Sequence, residues 1–142
     1  TQSQKLTASD PALDAGFGHS VSLAGDAALI GALGDNDNGE YSGSAYLFAR
    51  SGGTWTESQK LTSATGEGED FFGWAVSLSS DTALIGAYYS SPQGDNSGSA
   101  YVFTRLLTAG SPCTDSAECV TGHCVDAVCC DTDCASGTAD DS

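Results

Sequence analysis

Leu29-Ile30-Gly31-Ala32, with Ser42-Gly43-Ser44-Ala45-Tyr46 after it, returns as Leu84-Ile85-Gly86-Ala87 and Ser97-Gly98-Ser99-Ala100-Tyr101. Every residue comes back 55 positions on. Working outward, Phe17-Gly18 returns as Phe72-Gly73, and Gln4-Lys5-Leu6-Thr7 as Gln59-Lys60-Leu61-Thr62, at the same offset. The offset never slips, so the chain of 142 residues holds two copies, about 4–50 and 59–105, with no insertion between them. A unit of this length that recurs in register is a supersecondary module that buries its apolar face against a neighbour.

Inside each copy the apolar pattern has the period of strands. Ser20-Val21-Ser22-Leu23 alternates, Gly25-Asp26 turns, and the run from Ala27 to Ala32 has no polar face and is expected to be buried on both sides. A polar loop, Gly34 to Gly43, leads to a third strand, Ala45-Tyr46-Leu47-Phe48. Ser51-Gly52-Gly53 turns the chain into a fourth, Thr54 to Thr62, with Trp55 and Leu61 as its apolar anchors. Gly31 and Gly86 lie inside apolar strands, where glycine marks a bulge or the close approach of another backbone. No stretch shows helical spacing over three turns. The expected fold is all-β: two four-stranded antiparallel units of propeller-blade size, at 1–105, and a small disulfide-rich module at the C-terminal end.

Phe17-Gly18, Leu29-Ile30-Gly31-Ala32 and Gly43-Ser44-Ala45-Tyr46-Leu47-Phe48, with their second-copy counterparts, resemble the FG-GAP repeat. That repeat is the blade unit of integrin α-subunit β-propellers and occurs in many secreted bacterial proteins. The resemblance covers about residues 4–105. The chain departs from the pattern at Leu33 and Tyr88, where the repeat usually has Pro after Gly-Ala, and in number: the family's propellers resemble seven-bladed rings, and two blades cannot close one.

The strand inventory carries the functional reading. Copy one supplies four strands: 20–23, 27–32, 44–49 and 54–62. Copy two supplies three, 75–78, 82–87 and 99–105, and its fourth strand is missing. The missing pentapeptide stands instead at the other end of the chain, as Ser3-Gln4-Lys5-Leu6-Thr7. Gln4, Lys5, Leu6 and Thr7 are therefore expected to complete the second unit of another molecule by strand addition. Such a contact is heterologous and gives a ring or a filament. The partner is thus expected to be the chain itself, in an extracellular structural subunit. The alternatives are a cell-surface adhesin or ligand-binding module and a fragment of a longer repeat array. The chain begins at Thr1 with no apolar leader, which reads as a mature, processed polypeptide or a fragment.

Asp35-Asn36-Asp37-Asn38-Gly39-Glu40 is an oxygen-rich loop of the kind that hard cations favour. In the resembling blades the equivalent loop often resembles an Asp-x-Asp-x-Asp-Gly Ca²⁺ site. Asp35 and Asp37 match its first two ligand positions, Glu40 is the remaining carboxylate, and Gly39 falls where the third ligand belongs. Ca²⁺ is the one cofactor this suggests. The competing expectation is a solvated turn. Copy two has a single carboxylate in that loop, Asp95.

After Arg105 the composition changes. Residues 106–112 read as a linker. Cys113, Cys119, Cys124, Cys129, Cys130 and Cys134 form a cysteine-rich module, 113–134, and 135–142 is an acidic tail. The spacings lack Cys-x-x-Cys knuckles, so three disulfides are expected rather than zinc, in an oxidising compartment.

Four Lys and Arg against 19 Asp and Glu give a net charge of −15. That charge excludes unassisted nucleic-acid binding and docking on anionic lipid, and no apolar run is long enough to insert in a bilayer. No catalytic constellation is found, so an enzyme is not expected. His19 and His123 are the two histidines, and Glu69-Asp70 reads as a solvated turn. A protein or glycan ligand would be met by the loops Asp35–Ser42 and Ser90–Asn96, with Tyr88, Tyr89 and Trp74 as a stacking platform. Burial is the expectation for Trp74.

Overall fold

A computed structural model describes residues 1–104 and, beyond them, the backbone of two short strands. The first sheet contains β1 (Phe17–Ala24), β2 (Ala27–Ala32), β3 (Ser44–Ser51) and β4 (Thr54–Leu61), antiparallel and in that order. The second contains β5 (Phe72–Leu78), β6 (Thr82–Ala87) and β7 (Ser99–Thr104). The strands β8 (His123–Val125) and β9 (Val128–Cys130) form a separate antiparallel pair. The disulfides expected of the six cysteines, the linker and the acidic tail lie outside the described residues. No helix is long and apolar enough to cross a membrane among the described residues.

The registers of the two sheets coincide. Phe17 pairs with Ala32 and Ser20 with Gly31, so the chain bulges at Gly18-His19; Phe72↔Ala87 and Ala75↔Gly86 repeat that bulge. Ile30 pairs with Tyr46, and Ile85 with Tyr101. The opening strand of each copy starts at the Phe-Gly pair, three residues before the alternating stretch, because the bulge lets the ladder resume beyond it. The second sheet has three strands among the described residues, as the missing pentapeptide requires.

The sheets stack face to face. Leu29, Ala45, Leu47 and Leu61 of the first meet Phe72, Ala83, Ile85 and Ala87 of the second, with Val76, Leu78, Tyr101 and Phe103 at the margin. Full burial of a leucine contributes about 2 kcal/mol. The backbones also touch. Ser20 Oγ donates to the Gly73 carbonyl at 2.7 Å, and the Leu78 amide donates to Ser22 Oγ at 2.9 Å. A Cβ on Gly31 would collide with the Gly73 carbonyl and Ser20 Oγ, so this strand position must be glycine for the sheets to close.

The opposite face of the first sheet has its own cluster: Ala28, Ile30, Ala32, Tyr46 and Phe48, with Leu6, Ala8, Phe17 and Trp55 packed on it. Residues 1–16 contain no strand, and Leu6 and Ala8 pack this segment onto that face. The Gln4 side chain donates to the Trp55 carbonyl and accepts from its amide, both at 2.8 Å, and the Ser9 amide and hydroxyl donate to the Glu57 carboxylate at 2.9 and 2.8 Å. Hence β2 is buried on both sides, as its sequence implies, whereas β6 is buried on one: Leu84 faces outward.

Candidate functional site

Most of the acidic loop, Asn36, Asp37, Asn38 and Glu40, is exposed, but its first residue, Asp35, is not. Asp35 is 2% exposed, and its carboxylate shares one lysine with two others. Lys60 Nζ lies 2.6 Å from Asp10, 2.7 Å from Asp35 and 2.6 Å from Asp37. Lys60 stands opposite Tyr46 in the β3–β4 ladder, with its ammonium 5.2 Å from that ring's centroid. The Tyr46 hydroxyl donates to Asp10 at 2.9 Å and to Asp35 at 3.0 Å. Three separate stretches of chain are thus tied together by one ammonium.

The pKa directions follow from this geometry. The hydrogen bond from Lys60 holds the Asp10 carboxyl below its ordinary value. Burial opposes ionisation of Asp35, but hydrogen bonds from Lys60 and Tyr46 outweigh it, and this carboxyl too is lowered. Burial likewise opposes the charge on Lys60, and its bonds to Asp10, Asp35 and Asp37 outweigh it and raise the ammonium. Burial, reinforced by the carboxylates of Asp10 and Asp35, pushes the Tyr46 phenol up.

Of the three carboxylates expected to hold a cation, Asp35 and Asp37 come together. The third member of their cluster is Asp10, and Glu40 is not part of it. The ammonium of Lys60 stands where a cation shared by the three would stand. These residues do not fit Ca²⁺ at that point, because the position and part of the charge are already taken. Asp10 is too remote in sequence from the loop for any ligand motif to include it. The pairing of Lys60 with Tyr46 across two strands was the available signal.

A second site is a pair of surfaces. On the second sheet Leu84 and Val102 are 45% and 63% exposed, although their counterparts Leu29 and Leu47 are wholly buried between the sheets. On the first sheet Val21 and Leu23 are 68% and 69% exposed, and their counterparts Val76 and Leu78 border the buried contact. Part of each half of the internal contact therefore recurs uncovered among the described residues: Val21 and Leu23 on the first sheet, beside the stretch the N-terminal segment covers, and Leu84 and Val102 on the second. Gly86 belongs to the same surface. Its φ is ordinary, and an added Cβ would meet nothing nearer than Ala75 at 3.7 Å, so nothing within the described chain demands glycine there.

Beside β7 lies a cavity of about 340 Å³ lined by Thr65, Glu67, Asp70, Ser90, Pro92 and Tyr101, among others. Asp70 is buried rather than solvated, and one of its carboxylate oxygens accepts the Glu67 amide at 2.9 Å. Burial would raise the Tyr101 phenol, but hydrogen bonds from Ser63, Thr65 and Ser90 outweigh it and lower it.

A third feature is aromatic. Trp74 is 42% exposed, contrary to the burial expected, because β5 turns it outward over the rim of the sheet. It stacks on Tyr88 at 5.2 Å between centroids and touches His19 at 5.1 Å. With Tyr41, Phe71 and Tyr89 these two rings line an open cleft that includes Glu69.

Residues 1–48 and 55–103 match the family model described as FG-GAP repeat. No curated protein matches the chain.

Proposed function

The chain belongs to the FG-GAP repeat family, and from that premise we propose that it is an extracellular, non-enzymatic structural subunit that joins head to tail with copies of itself. FG-GAP repeats suggest a β-propeller-like module and are typical of extracellular or surface proteins.

The observation that carries this reading is that residues from each half of the internal contact are exposed again on the opposite faces of the two sheets. Val21 and Leu23 form one half, and Leu84 and Val102 the other. If one copy's first sheet docks on another's second sheet as the two sheets dock within the chain, each exposed residue takes the buried place of its counterpart. The Leu23 amide then reaches Ser77 Oγ, as Leu78 reaches Ser22. Gly86 meets the carbonyl of Gly18, as Gly31 meets that of Gly73. The same docking brings Gln4-Lys5-Leu6-Thr7 beside β7, whose outer edge has no partner among the described residues. Leu6 already packs on its own first sheet as Leu61 packs on the second, so the N-terminal segment is held where donation needs it. A heterologous contact of this kind repeats without limit unless its rotation closes a ring.

Light scattering of the whole chain, and of the chain lacking Thr1–Thr7, tests the proposal. The whole chain should gain mass with concentration and the shortened one should stay monomeric. Equal masses would overturn the reading.

The aromatic cleft favours a second reading, a surface adhesin that binds a glycan by stacking, since exposed Trp and Tyr rings present flat apolar faces with polar edges. A monomeric chain whose Trp74 fluorescence responds to added oligosaccharide would support it over assembly.

A further inference from the structure

In the first sheet Lys60 sits opposite Tyr46, among Asp10, Asp35 and Asp37. In the second sheet the counterparts of Tyr46, Asp10, Asp35 and Asp37 are Tyr101, Thr65, Ser90 and Pro92, and all four line the cavity beside β7. This cavity is therefore the place that Lys60 fills in the first sheet, left open where the second sheet has no fourth strand among the described residues. Its acids have moved. The three positions that carry Asp in copy one are neutral in copy two, and Glu67 and Asp70 supply carboxylates from the connection that leads into β5. The residue that corresponds to Lys60 is Lys5, 55 positions earlier.

We propose that the cavity beside β7 is the seat of Lys5 from a second copy of the chain, delivered by that copy's N-terminal segment added as a strand to β7 and held by the carboxylates of Glu67 and Asp70. This rests on the head-to-tail reading and adds to it the charge pair that fixes the register. In the register of β3 and β4, Tyr46 pairs with Lys60 and Ala45 with Leu61. Carried over, Tyr101 pairs with Lys5 and Ala100 with Leu6. A slip of one residue would turn Lys5 to the apolar face and Leu6 to the acids, which the alternation of a strand forbids. Charge favours the same occupant. The chain carries four basic residues; Lys60 and Arg50 are paired with Asp residues, and Lys5 makes no ion pair among the described residues. A lone exposed ammonium meets a cavity that holds two carboxylates.

The test uses the full chain in four forms: wild type, Lys5→Glu, Glu67→Lys, and both exchanges together. Both side chains lie on the surface, so all four should show the same thermal unfolding by circular dichroism. Sedimentation should show association weakened about tenfold or more in each single variant, where like charges meet. It should be restored in the doubly exchanged chain and in an equimolar mixture of the single variants, where opposite charges meet again. Carbodiimide treatment of a mixture of ¹⁴N- and ¹⁵N-labelled wild-type chains should yield a Lys5–Glu67 cross-link that joins the two labels.

Unchanged association of Lys5→Glu would overturn the Lys5 seat and leave head-to-tail docking standing. So would folded single variants whose mixture stays apart. A wild-type chain that remains monomeric at every concentration would overturn both.

Discussion

The first sheet is covered on one face by the second sheet and over β2 and β3 of the other by its own N-terminal segment, whereas the second is covered on one face among the described residues, although the two share three corresponding strands, the same bulge and the same register. The difference does not come from the sheets themselves. It comes from what lies beside each: the N-terminal segment and the second sheet flank the first, whereas the second sheet has the first on one side and, among the described residues, nothing on the other. The same contrast holds at the edges. The first sheet has β4 and its lysine, held by three aspartates. The second has a cavity with two carboxylates and no lysine among the described residues. A residue's role in a repeat protein is thus set by the neighbour its repeat meets. Identical positions serve folding in one copy and, on our reading, association in the other.

The sharpest way to break this comparison is to place the same charge at matched positions. Leu47→Asp buries a carboxylate between the sheets and should cost about 4 kcal/mol or more, seen as loss of the cooperative thermal transition. Val102→Asp puts it on the open face. It should leave the unfolding midpoint unchanged in dilute solution and abolish association at high concentration.

Next in size is the lysine. Lys60→Gln leaves Asp10, Asp35 and Asp37 without their shared cation and should destabilise the fold by about 2 kcal/mol, less than the penalty for a wholly buried pair because the site is partly exposed. The variant also opens the position Lys60 holds, so millimolar Ca²⁺ should raise its midpoint while leaving the wild type unmoved; calorimetric titration of both proteins checks this.

Acid should act on the first sheet in the same way but more gently. The carboxyls of Asp10 and Asp35 are lowered from 3.8 in the folded protein. Their contribution is complete above that value and is lost as pH falls through the lower folded-state values. Lys60 is raised from 10.5, so its contribution is complete below that value and is lost only as pH climbs past its folded-state value. Between about pH 5 and pH 9 the cluster should not respond. As pH falls below 3.8, toward the lower folded-state values, the N-terminal segment should come away, measured as falling protection of the Ser9 and Trp55 amides against hydrogen exchange. The smallest effect belongs to Tyr46→Phe, which removes the hydroxyl that donates to Asp10 and Asp35 and should cost about 1 kcal/mol.

Much of this was legible in the chain. The offset of 55 residues, the alternation of Ser20-Val21-Ser22-Leu23 and the apolar run from Ala27 to Ala32 give the strands and their order, because a period of two has one meaning once it recurs in register. The absence of a counterpart to Thr54–Leu61 in copy two was legible for the same reason. What sequence reading missed depends on the third dimension. Asp35 looked like a turn or a cation ligand, since nothing along the chain shows that Lys60 reaches it from β4 and Asp10 from the N-terminal segment. Leu84 and Leu29 stand in the same Ala-Leu-Ile-Gly-Ala stretch, so the sequence alone does not distinguish their exposure, which differs only in what packs above them. Trp74 turned outward because the rim of the sheet offers it Tyr88 and His19 rather than a core.

Gly86 puts the central claim to its most direct test. Sedimentation velocity over a wide concentration range would compare the wild type with Gly86→Ala, taking Gly31→Ala as the matched control. In the wild type a concentration-dependent series of species is expected. Gly86→Ala should keep the wild-type unfolding midpoint, since its new methyl meets nothing crowded within the described chain, yet stay monomeric, because that methyl would strike the Gly18 carbonyl of the arriving copy. Gly31→Ala should fail to fold stably. A Gly86→Ala protein that associates as the wild type does would contradict the account.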